Sequence, residues 1–96
     1  MLYYKMEEYQ AAITSFENFM KEYPATEHRE DIINCMVLTY YNYAKKSVQE
    51  KQRERYELAL EKYNTLKYMY PESKYIAELE LVVENILLEL SNFKNK

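Results

Sequence analysis

The apolar positions of this chain fall into helical stripes. Ile32, Cys35, Met36, Thr39, Tyr40 and Tyr43 stand at i, i+3, i+4, i+7, i+8 and i+11, and Leu79, Val82, Val83, Ile86, Leu87 and Leu90 repeat the same offsets. Such spacing marks one face of an amphipathic helix. A shift of 47 residues then brings the two halves of the chain into register. Tyr9 meets Tyr56, Ala12 meets Ala59, Ile13 meets Leu60, and Phe16 meets Tyr63; Phe19, Tyr23, Pro24 and Thr26 meet Leu66, Tyr70, Pro71 and Ser73. Self-similarity at one period is the sequence signature of a repeat architecture.

The boundaries follow from local chemistry. A proline cannot continue a helix and its predecessor avoids helical angles, so helices stop near Tyr23 and Tyr70. Thr26 and Ser73 are the expected N-caps of the helices that follow. Ser47-Val48-Gln49-Glu50 fits a capping box and places a turn at Lys46–Ser47. The pattern thus predicts helices over 7–23, 27–46, 48–70 and 73–93, joined by short connections that make neighbours antiparallel. Residues 1–5 read as the end of an earlier helix, with one continuous helix over 2–23 as the alternative. The fold expected is all-α, a helix-hairpin solenoid of about four helices. It divides into the second half of one repeat (1–24), a lengthened repeat (25–71) and a terminal capping helix (72–96).

Composition sharpens this picture. The 96 residues include no glycine, which removes the loops that cradle phosphates or calcium and the tight turns of β-hairpins. The formal net charge of −3 disfavours nucleic acid as a partner. No apolar run is long enough to cross a membrane. The chain's start lacks the basic-then-apolar pattern of a signal peptide, which leaves a cytosolic protein or a fragment whose targeting segment lies elsewhere. Cys35 is the single cysteine, His28 the single histidine and Asp31 the single aspartate. No catalytic triad, cofactor site or Cys/His zinc cluster can be assembled from them, and three ligands on one helix do not make a tetrahedral site. Cys35, on the inner stripe, is expected to be a buried small hydrophobe.

The run from Tyr3 to Pro24, with Tyr9, Ala12, Phe16 and the closing proline, resembles the second half of a tetratricopeptide repeat. Tyr56, Ala59, Tyr63 and Pro71 repeat it. In this arrangement the small residue lets paired helices approach and the aromatics fill the space between them. The chain departs from the pattern in two ways. Glu7 and Glu54 hold the place of the usual turn glycine, and the period exceeds the usual one of about 34 by about 13 residues. The lengthened helices around KKSVQEKQRER are similar to the C-terminal repeats of the outer-membrane β-barrel assembly lipoproteins of the BamD (YfiO) type, in their Bacteroidetes-like form. That resemblance covers nearly the whole chain. It implies a non-catalytic scaffold at the periplasmic face of the outer membrane, with a lipid anchor outside this chain and no cofactor. The implied partner is the barrel-assembly protein BamA, with unfolded outer-membrane proteins as a second class. A generic tetratricopeptide adaptor that binds peptides is the alternative function.

Partner-binding candidates come from charge and from misplaced leucines. Lys45, Lys46, Lys51, Arg53 and Arg55 outweigh Glu50 and Glu54 in one segment, whereas residues 72–92 are strongly acidic. A solvated helix face is the ordinary reading of such runs; contact with an acidic partner is the functional one. Lys62, nine residues before Pro71, aligns with a basic position that the resemblance implies meets BamA. Leu81 and Leu88 lie opposite Leu79 and Ile86 on the last helix, where a terminal helix should be polar, and suggest docking or self-association. Tyr41 shares a second stripe with Ile33, Val37 and Ala44, which packing on two sides or a peptide groove would equally explain. Loss of a stacking neighbour would expose Leu2, Tyr3, Met6 and Phe16 and promote self-association of the isolated chain.

Overall fold

A computed structural model of the chain describes residues 6–94, with side chains over residues 8–92. It consists of four helices: α1 (Met6–Glu22), α2 (Arg29–Lys46), α3 (Gln49–Met69) and α4 (Ile76–Lys94). The predicted all-α hairpin architecture is thus present, without a strand among the described residues. The expectations for residues 1–5, and for the side chains of Leu2, Tyr3 and Met6, lie outside what is described.

Helix α2 is the centre of the assembly and touches each of the other three. Its two stripes are both buried: Met36, Tyr40 and Tyr43 on one, Ile33, Val37 and Ala44 on the other. Packing therefore accounts for the second stripe, and half-buried Tyr41 stacks 6.2 Å from Tyr56 across the α2–α3 seam. The buried arc is centred between the stripes, and this overturns the placement of Cys35. At 100° per residue Cys35 lies about 140° from the centre of that arc, and its thiol is exposed. Leu87 is corrected likewise. It is 53% exposed, because at 100° per residue it lies about 90° from the direction that buried Leu79 and Ile86 share, and it borders a cleft of about 260 Å³ with Arg53, Glu57 and Leu90.

Of the repeat positions, Tyr9, Tyr56, Ala59 and Tyr63 are buried. Ala12 and Phe16 are half-buried, and Pro24 and Pro71 are exposed, acting as helix breakers rather than filling the core. Ala44 and Ala59 have no accessible surface, which is how α2 and α3 come close enough to share one core.

The two proline turns are built alike. The Tyr23 amide donates to the Phe19 carbonyl (2.8 Å) as Tyr70 does to Leu66 (2.7 Å). The Thr26 amide donates to the Tyr23 carbonyl (3.1 Å) as Ser73 does to Tyr70 (2.9 Å). The expected caps are displaced. Thr26 Oγ1 accepts from the His28 amide (3.1 Å) and Ser73 Oγ from the Tyr75 amide (3.2 Å). Each hydroxyl therefore closes a separate turn before its helix, which begins three residues later, at Arg29 and Ile76.

The middle turn uses other means. No capping box forms at Ser47, because its hydroxyl turns back and donates to the Tyr43 carbonyl (2.5 Å) while accepting from Arg55 Nη1 (2.5 Å). Ser47 (φ −80°, ψ 159°) and Val48 (φ −63°, ψ 152°) are extended and break the helix between them. No described residue has positive φ, so the turns need no glycine. Glu54, where the family's glycine would stand, lies inside α3. The helix continues through that point and the turn sits earlier in the chain.

Leu66 and Phe19 are equivalent by repeat but not by environment: Leu66 is fully buried and Phe19 is 38% exposed. Leu66→Ala should destabilise the fold by about 2–5 kcal/mol and Phe19→Ala by about 1 kcal/mol or less, measured by urea unfolding. Burial, with Glu17 beside it, pushes the Tyr40 hydroxyl from 10.0 up to about 12. Burial, with Glu89 nearby, does the same for Tyr56. In the window from 10.0 to about 12 the unfolded chain gives up these protons first. Stability should therefore be intact below the ordinary tyrosine pKa and fall as pH rises through that window. Thermal melts across it, alongside tyrosinate absorbance, check the sign; melting temperatures unchanged up to the upper limit would refute it.

Candidate functional site

The lengthened α2–α3 hairpin ends in a basic tip. Lys45 and Lys46 occupy the last turn of α2, where the helix dipole favours cations. Lys51 stands in the first turn of α3, where the dipole opposes it, and Arg53 follows in the second turn. The helix dipole therefore does not account for Lys51. Lys46, Lys51 and Arg53 are exposed, and Arg53 makes a surface pair with Glu57 at 3.6 Å, of the kind that contributes little to stability. Lys45 lies 5.1 Å above the Tyr41 ring. Val48, at the apex, is 65% exposed, so the tip presents an apolar point within a basic collar.

Arg55 differs from its neighbours. Its guanidinium lies 4.0 Å over the Tyr43 ring and donates to Ser47. Tyr43 is itself held by Gln10 Nε2, which donates to its hydroxyl at 2.7 Å, and by the Tyr9 ring at 5.8 Å. Arg55 thus braces the tip from beneath, a role that charge counting along the sequence did not reveal.

Lys62 is not part of the tip. It lies 13 residues beyond the start of α3, about 20 Å along the axis at 1.5 Å per residue. There it lines a cleft of about 350 Å³ with Lys21 from α1 and Arg29 from α2. The sequence-based candidates therefore fall into two separate basic regions. Lys21 and Arg29 were missed because each is an isolated cation in the sequence, and only folding gathers them beside Lys62.

Leu81 and Leu88 are 66% and 64% exposed on α4, opposite buried Leu79 and Ile86. On the outer side of α2, Asp31 accepts a short hydrogen bond from the Tyr75 hydroxyl, which raises Tyr75 to about 12. Among the described residues no group of acidic, histidine or cysteine side chains could hold a metal ion. No described helix is long and apolar enough to cross a membrane.

In comparison with known families, the YfiO model, outer membrane lipoprotein, matches residues 2–92. Comparison with curated proteins finds no match.

Proposed function

Because the chain belongs to the YfiO family of outer membrane lipoproteins, we propose that it is a non-catalytic scaffold of the β-barrel assembly machinery, working at the periplasmic face of the outer membrane and holding a BamA-type partner. The family leaves the cytosolic reading without support. Residues 1–24, 25–71 and 72–96 act in this reading as half-repeat, lengthened repeat and capping helix.

The observation that carries the proposal is the tip of the lengthened hairpin. Lys45, Lys46, Lys51 and Arg53 are gathered and exposed on the two sides of a turn that Arg55 braces, Lys51 against the α3 dipole. An arrangement of this kind orients an acidic partner surface and speeds encounter more than it adds raw affinity. Lys62 provides a second basic contact. Leu81 and Leu88 offer α4 as an apolar docking point, for a partner or for a second copy. Catalysis has little to work with: Cys35 is exposed, but no base is hydrogen-bonded to it among the described residues.

Reversing the tip with Lys45→Glu, Lys46→Glu and Lys51→Glu should lower affinity for the periplasmic domains of a BamA-type protein by about tenfold or more and weaken its salt dependence. Lys62→Glu should weaken the same pull-down. Helicity should be unchanged in both; full binding by both variants would refute the assignment. Leu81→Glu with Leu88→Glu should reduce partner retention or shift the sedimentation profile, and if neither changes α4 is not a docking surface.

A further inference from the structure

The cleft that contains Lys62 has a chemistry of its own. Helices α1 and α3 both pack on α2, and their backbones do not approach each other. The space between them is floored by Met20, Ile33, Met36 and Met69. Thioether side chains make an apolar surface that adapts to what lies on it. Each of the three helices adds one cation: Lys21, Arg29 and Lys62. Glu17 is the single carboxylate of the lining, and it accepts from the Tyr40 hydroxyl at 3.4 Å.

The cations are not neutralised from within. Among the described residues no carboxylate lies within 4 Å of Lys21, Arg29 or Lys62. The Nε of Arg29 is buried and has no hydrogen-bond partner. A guanidinium cannot shed its charge, and a buried donor left unpaired is costly. The missing partner is an acceptor, and the excess of cations around it calls for an anionic one.

We propose that this cleft binds an acidic side chain of an extended segment of a protein partner. The carboxylate meets the planar fork of Arg29, whose geometry suits bidentate pairing, with Lys21 and Lys62 flanking it. Apolar neighbours in the same segment lie on the methionine floor. This rests on the reading of the chain as an interaction scaffold, and not on the identity of the partner.

The test uses two blocked peptides, acetyl-Leu-Asp-Leu-Asp-Phe-amide and the same peptide with Asn for Asp, titrated into the 96-residue chain and followed by NMR. The acidic peptide should bind at least about tenfold more tightly, with the largest shifts at Arg29, Ile33 and Lys62. Arg29→Gln should abolish the preference for Asp over Asn. Lys62→Gln should reduce it and serves as the second variant if Arg29→Gln perturbs folding. Equal binding of the two peptides, or a preference that survives both substitutions, overturns the proposal. So does displacement by inorganic phosphate at concentrations matching the peptide, which would mark an anion site only. No BamA-type protein enters this experiment, so its failure leaves the tip assignment standing, and failure of the tip variants in the pull-down leaves the cleft untouched.

Discussion

The architecture depends on the corner where Arg55 reaches back across the turn to Ser47 and Tyr43. One guanidinium covers an aromatic face at 4.0 Å and donates to a hydroxyl at 2.5 Å. That hydroxyl in turn donates to the Tyr43 carbonyl in the last turn of α2. A cation on a desolvated ring is stronger than the same contact in water, and Ser47 is buried. The corner fixes the path by which α3 returns along α2, and the two alanines at their seam set how closely. Helix α1 packs on α2 and helix α4 on both α2 and α3, and the cleft beside Lys62 is the gap between α1 and α3.

The tyrosines make sense in the same terms. Tyr43 provides a ring to Arg55 and to Tyr9, a hydroxyl to Gln10 and a backbone carbonyl to Ser47. Tyr41, Tyr63 and Tyr75 each lie beneath a lysine. A tyrosine can face the core with its ring and the solvent with its oxygen, so a core of modest size can be lined with cations at its margin. Long basic helices are thereby tied to an apolar interior without carboxylate partners for every charge.

Helix number and order were legible from the stripes and the two prolines, with ends displaced by at most three residues. The repeat was legible as well, down to hydrogen bonds that recur at the same offset. What could not be read were matters of neighbourhood. Cys35 and Leu87 obey the helical spacing, yet the buried arc of α2 is centred on a different angle and Leu87 falls at the flank of the arc that α4 buries. Phe19 matches Leu66 in register, but the described residues place no helix over it. Ser47 has the sequence of a capping box, and a residue eight positions on claimed its hydroxyl. The basic cleft was invisible because its three cations come from three helices.

The turns in this chain run entirely through ordinary backbone angles, and that has an effect in the denatured state. A glycine loses more conformational freedom on folding than any other residue. With another residue at a compatible angle, a chain gains about 0.4–1 kcal/mol at each such site through the smaller entropy of its unfolded form. Glu54, within α3 where the family's glycine would stand, is such a site. Part of this small domain's stability therefore comes from no contact at all, but from the narrower range of shapes open to the chain before it folds.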